Sequence, residues 1–272
     1  MFKNITIGSD PEFFIYKDDK PVSSIGIIKG EKHTPDEVEP GYGVLKDNVL
    51  IEGNIPPADN KEDFIKNFKN LKRIMSDILA VKGYKLVCGD SAEFSADQLN
   101  NPKAKEFGCA PYINAWTMGM KSPVDLGRMP FRVAGSHIHW GYEYSGKLAQ
   151  EYVALYLTRA FDYFVVYPSR LIYDDPIRSQ FYGDYGNFRI TTYGVECRSL
   201  GGYFGDDKYL SWIYDQGIKI FDFCANEDNI KLLDLVGPPD VNTEESYKIL
   251  GINLEEQLYE DTTVDILVDS VI

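Results

Sequence analysis

The stretch Arg132-Val133-Ala134-Gly135-Ser136-His137-Ile138-His139-Trp140-Gly141 decides how the chain is read. It has the composition of a β-strand, yet it carries two histidines two residues apart. On a strand, residues i and i+2 project to the same face, so His137 and His139 point the same way. Only 3 histidines occur among 272 residues, which makes the pairing hard to attribute to chance. Same-face imidazoles suit metal ligation or contact with phosphate. Zinc would need a supporting carboxylate from elsewhere, since no third histidine lies nearby.

Three other strand-like segments repeat the theme. Asp10 and Glu12 fall on one face in Gly8-Ser9-Asp10-Pro11-Glu12-Phe13-Phe14 and can chelate a hard divalent cation, although Ser-Asp-Pro also opens turns. Glu52, with Asn54 two residues on, closes the apolar run Val49-Leu50-Ile51, the carboxylate serving as a ligand or merely marking the strand's exit. Glu196 and Arg198 share a face in Gly194-Val195-Glu196-Cys197-Arg198, where the glutamate can hold a metal and the arginine a phosphoryl or carboxylate oxygen. A cross-strand salt bridge is the simpler account of that last pair. Arg189, seven residues before Glu196, is a candidate for a second anion contact. Unpaired buried charge is unfavourable, so a sheet face lined with acids, two histidines and arginines calls for a charged ligand. Divalent metals holding a polyphosphate fit that lining, with the arginines neutralising charge on a transferring phosphoryl group.

Around these segments, β-type runs at residues 4–7, 13–16, 44–51, 84–87, 132–140 and 187–198 mix irregularly with three helix patterns. The clearest covers residues 61–81, where Phe64, Phe68, Leu71, Met75 and Ile78 recur at spacings of three and four, behind a cap at Asp59 or Asn60. A second covers residues 147–166, entered through Ser145 and stopped by Pro168; a third covers 208–224. Strands and helices do not alternate in βαβ fashion, and no glycine-rich phosphate loop is present. The expectation is an α+β fold with a mainly antiparallel sheet. Gly237-Pro238-Pro239 suggests a break, with a catalytic domain over 1–236 and an acidic extension over 237–272, either a docking segment or a loosely packed terminus.

The formal charge is −14, which argues against non-specific nucleic-acid binding. Nine acids and one lysine fall within residues 240–272, so the body is only mildly acidic and has room for an anion site. No apolar run reaches the roughly 18 residues of a membrane span, no leader peptide is visible, and the four cysteines show no C-x-x-C pairing. A cytoplasmic protein with free thiols is expected.

In order along the chain, Gly8–Phe14, the Ile51-Glu52-Gly53-Asn54 strand, Ser91-Ala92-Glu93-Phe94, the segment Phe107–Thr117, the histidine strand and Tyr193-Gly194-Val195-Glu196-Cys197-Arg198 resemble the glutamine synthetase-like carboxylate–amine ligases, and in detail the type 2 amidoligases of bacteriophages. The resemblance runs from Gly8 to about Phe204. It implies a curved antiparallel sheet with the active site on one face and helices on the other. It also implies an ATP- and Mg²⁺- (or Mn²⁺-) dependent ligase, in which a carboxylate is converted to an acyl phosphate and captured by an amine from a small molecule or peptide. Asp10, Glu12, Glu52 and Glu196 then match metal positions, and His137 or His139 meets metal or phosphate. Arg198 matches the phosphoryl clamp, with Arg189 and Arg132 as weaker candidates for the same job; Glu93 matches an acidic position of unassigned role. Some relatives build their sites between subunits, so a homo-oligomer is compatible. The sequence departs from the pattern at Ala110, Pro111 and Tyr112, where an acid is expected after Gly108-Cys109, and at Pro11 within the first strand. Two other readings compete: a metal-dependent hydrolase, and a catalytically inactive derivative serving as a binding or assembly module.

Overall fold

The computed structural model describes residues 1–105, 112–122, 129–173, 175–202 and 206–259. Strands β1 (Phe2–Lys17), β2 (Lys20–Val22), β3 (Asp36–Glu39), β4 (Tyr42–Asp47) and β5 (Leu50–Asn54) precede helix α1 (Lys61–Ala80). Then come β6 (Lys85–Val87), β7 (Ser91–Glu93), β8 (Tyr112–Asn114), β9 (Met120–Lys121), β10 (Phe131–Val133) and β11 (Ser136–Tyr144). Helices α2 (Gln150–Phe161), α3 (Tyr167–Arg170) and α4 (Pro176–Phe181) lead to β12 (Asn187–Ile190) and β13 (Gly194–Cys197). Helices α5 (Asp207–Cys224), α6 (Glu227–Leu233) and α7 (Thr243–Leu250) follow.

The protein is α+β, built on a large antiparallel sheet ordered β3-β4-β5-β1-β11-β13-β12-β8-β9, with β2 and β6 pairing with β1. β1 is central because it is long. Its 16 residues pair with β11 along the first part, with β5 at Glu12 and Phe13, and with β2 and β6 near its end. Pro11 does not break it: Pro11 lies opposite Ser136, and the N–H of Glu12 donates to the carbonyl of Gly135 at 3.0 Å. The expected runs at 4–7 and 13–16 are therefore one strand. Conversely, the run at 44–51 is a hairpin turning at Asn48, whose φ of +55° asparagine tolerates better than most residues. The runs at 132–140 and 187–198 also divide, β10 pairing with β7 in a separate small sheet and β12 with β13 in a hairpin.

Helices α1, α2 and α5 pack on one sheet face. Phe64, Phe68, Leu71 and Met75 of α1 are buried, with the Phe68 ring against Phe13 at 6.4 Å. Asn60 caps this helix by accepting from the N–H of Asp63 at 2.8 Å. α5 approaches β11 at Gly217, where an added Cβ would stand 2.1 Å from the Trp140 ring. Alanine is favoured over glycine in a helix by about 1 kcal/mol, but overpacking a rigid ring costs about 1–3 kcal/mol. Gly217→Ala should therefore lower the unfolding free energy by a net ~0–2 kcal/mol, read by urea titration; a more stable variant would show that the helix can shift.

Two expectations about helices need correction. Ser145 does not open α2: Ala149 occupies the cap position without a side-chain bond, while Ser145 bonds the carbonyl of Met1. Pro168 does not end the helix either. A π-type turn over Asp162–Val166 carries the chain into α3, with Pro168 in the first turn of α3, where a missing N–H is tolerated. Nor does the chain after Gly237-Pro238-Pro239 hang from the body. Tyr247, Leu250 and Ile252 are buried in the main core, and Trp212 Nε1 donates to the carbonyl of Gln257 at 3.0 Å. Residues 260–272, including the apolar end, lie outside the described residues. No helix among the described residues is long and apolar enough to cross a membrane. Cys88, Cys197 and Cys224 form no disulfide among the described residues, and Cys109 lies outside them.

Candidate functional site

Strand alternation places Ile138, Trp140, Val195, Cys197 and Phe188 in the helix-covered core. The residues between them therefore face the other way. On that second face, ladder register decides which side chains meet. Asp10 pairs with His137, His139 with Glu196, Glu196 with Arg189, and Glu12 with Glu52.

The acidic half centres on Glu12, Glu52 and Asp47, each offering an oxygen within 4.8 Å of the others. Asp47 comes from β4, two residues beyond Leu45, which faces Glu52. All three carboxylates are buried, beside a minor apolar cluster that includes Phe14, Leu50 and Phe94. One oxygen of Glu12 accepts from the N–H of Gly135 at 2.6 Å, and one oxygen of Asp47 meets Lys32 Nζ at 2.7 Å. Oε2 of Glu52 is buried with no hydrogen-bond partner, although the residue is only 9% exposed. Burial, followed by the Asp47 charge, raises Glu12 from 4.5 to about 7. Burial, then Asp47, Glu12 and Asp10, raises Glu52 well above the ordinary carboxylate value. Three crowded carboxyls with an unsatisfied oxygen are an expensive arrangement for packing alone. An all-oxygen donor set fits a hard cation such as Mg²⁺ or Mn²⁺.

The second half centres on Glu196, 2% exposed. Its Oε1 lies 3.2 Å from His137 Nδ1 and 3.4 Å from Arg198 Nε, and its Oε2 lies 3.0 Å from Arg189 Nη1. Burial alone would raise Glu196, but the His137 hydrogen bond and the charges of His137, Arg198 and His139 hold it well below the usual range. Burial and the Arg198 charge lower His137 despite Glu196. Its Nε2 lies 3.2 Å from the Tyr182 hydroxyl, which also accepts from Arg198 Nη2 at 3.0 Å. A neutral ring with Nδ1–H toward Glu196 and Nε2 accepting from Tyr182 satisfies both contacts. At His139 burial opposes protonation, but the Asp10 carboxylate, 3.1 Å from Nε2, prevails and raises the value. Its Nδ1 bonds the Tyr193 hydroxyl. Arg198 is buried, whereas the Arg189 side chain is 48% exposed and reaches the open side of the cluster.

Asp10, Glu12, Glu52, His137, His139, Glu196, Arg198 and Arg189 thus share one face. Two sequence candidates do not join them. Arg132 is buried, with its guanidinium donating to the carbonyls of Met129, Phe131 and Ala104 and to Asn48 Oδ1; it fastens the β4–β5 turn. Glu93 is exposed on β7, opposite Phe131. Ala110 and Pro111 lie outside the described residues, and the Tyr112 hydroxyl donates to Asp184 at 3.4 Å.

Asp47, Lys32, Tyr182 and Tyr193 were not anticipated. Asp47 sits two residues from Leu45 at a hairpin end, which reads as ordinary turn chemistry. Tyr182 and Lys32 come from irregular segments that no periodicity flags.

No protein-family model matches this chain, and no curated protein matches it.

Proposed function

We propose that the protein is an ATP-dependent carboxylate–amine ligase with a glutamine synthetase-like catalytic sheet, forming an amide or peptide bond through an acyl phosphate. The observation that carries this reading is the adjacency, on one sheet face, of a buried all-carboxylate cluster with an unsatisfied oxygen and a histidine–glutamate–arginine cluster. Cation-binding and anion-binding chemistry are thereby side by side, as transfer of a phosphoryl group requires. The ordered motifs that resemble the amidoligases supply most of these residues.

Glu12, Asp47 and Glu52 would hold a divalent cation, with Asp10 close by. That cation, when bound, supplies charge neutralisation for the triphosphate. Arg189, half exposed and anchored by Glu196, is placed to meet phosphoryl oxygens. Arg198 and His137 are positioning residues: they fix Glu196 and Tyr182 and have little surface of their own. A hydrolase reading finds less support at His137, whose two ring nitrogens both face partners.

Calorimetric titration with ATP tests the proposal. Binding should require Mg²⁺ or Mn²⁺ and disappear in both Glu12→Gln and Glu196→Gln, and ADP release should need an acid and an amine together. ATP binding that is indifferent to divalent cations and to both substitutions would refute it.

A further inference from the structure

The Lys32 ammonium touches the acidic cluster, and its setting is unusual. It rides at the tip of a tight turn closed by two bonds, Glu31 N–H to the Thr34 carbonyl at 3.1 Å and Thr34 N–H to the Glu31 carbonyl at 2.9 Å. The base of that turn is fixed. Lys46 Nζ and Lys103 Nζ hold Glu31 at 2.8 and 3.0 Å, and the N–H of Lys46 donates to the carbonyl of Gly30 at 3.0 Å. Gly30 lies so close to β4 that a Cβ there would stand 2.1 Å from the Val44 carbonyl oxygen. The backbone cannot retreat, but the Lys32 side chain is 39% exposed and can swing into water.

Its ammonium lies 2.7 Å from Asp47 Oδ2, whose side chain is 10% exposed, so a single positive charge sits against three buried carboxyls. A divalent ion using an Asp47 oxygen would be a few ångströms from the ammonium, and like charges at that distance repel strongly where water is scarce. Resting on the cation-site reading above, we propose that Lys32 is a tethered monovalent cation that occupies the acidic cluster until a divalent ion displaces it, so that metal binding and release of Lys32 are one event.

The test uses Mn²⁺ alone as the probe on the full chain, followed by calorimetry, with folding of each variant checked by circular dichroism. Lys32→Met should bind Mn²⁺ about three- to ten-fold tighter than the parent, the range expected for removing a partly buried competing ion pair. Lys29→Met, which removes a neighbouring exposed charge outside the cluster, should leave the affinity within about two-fold. Lys32→Gln serves if the methionine variant misfolds. In parallel, amine acylation read by mass spectrometry should label Lys32 several-fold faster once Mn²⁺ saturates, with Lys29 unchanged. Equal Mn²⁺ affinity in parent and Lys32→Met, or Lys32 labelling that ignores Mn²⁺, overturns the exchange while leaving the cation site standing. Absence of Mn²⁺ binding in both proteins overturns the cation-site reading and the exchange with it.

Discussion

Glu196→Ala should lower the unfolding free energy by about 3–5 kcal/mol, the cost of removing one member of a buried charge network. Glu196 is 2% exposed, and its carboxylate lies within salt-bridge distance of both Arg198 and His137. Truncation leaves the Arg198 guanidinium buried without the carboxylate it faces. Glu196→Gln keeps an oxygen to accept from His137 Nδ1 and should cost less, which makes it the variant for binding and turnover assays. Arg189→Ala should cost no more than ~1 kcal/mol, because its side chain is half in water. Urea titrations of the three variants check this ranking. An alanine variant within about 1 kcal/mol of the parent would mean that water or a rearranged side chain compensates Arg198.

The second large effect concerns pH. Glu12 moves from 4.5 to about 7 on folding, so between those values the folded chain binds more protons than the unfolded one. Glu12 alone should therefore lower the stability of the metal-free protein by about 3 kcal/mol as pH rises through that window. His137, lowered by burial and the Arg198 charge, contributes with the opposite sign as pH rises through the ordinary histidine range. Glu52, raised for the same reason as Glu12, adds to the fall. Asp162, buried under Trp116 and Gly186, is also raised by burial to about 7 and contributes a separate share. His139, raised by Asp10, stabilises the fold at low pH and loses that contribution as pH climbs through its folded value. Thermal unfolding from pH 5 to 8, with and without Mn²⁺, separates these sources. Mn²⁺ should recover stability at pH 7.5, since it replaces the protons on the acidic cluster. Glu12→Gln should flatten the slope and abolish that recovery, whereas Asp162→Asn should flatten the slope and leave the recovery intact. A metal-free protein whose stability rises from pH 5 to 7.5 would contradict the crowding of the three carboxyls.

Much of the site was legible because it depends on a short-range rule. Period-two projection needs only the local chain, so Asp10 with Glu12, His137 with His139 and Glu196 with Arg198 could be paired without knowing any neighbour. The same reasoning placed α1 and its cap, where apolar spacing and Asn60 act within a turn or two. The reading failed where a residue's fate depends on distant chain. Arg132 looked like an anion ligand, but carbonyls at Ala104, Met129 and Phe131 consume its donors. Pro168 looked like a stop, but the π-type turn before it accommodates the ring.

What the sequence alone determined is therefore which chemical groups this chain can present together on a strand face, and that its sheet is antiparallel rather than doubly wound. Tertiary structure decided the rest: that β1 lies between β5 and β11, setting Glu12 against Glu52 and Asp10 against His137, and that Asp47 and Lys32 enter the acidic cluster from a hairpin and a turn. The reason is that sheet register and strand order are fixed by non-local pairing and burial. No spacing along the chain encodes the 4.8 Å that brings three carboxylates together.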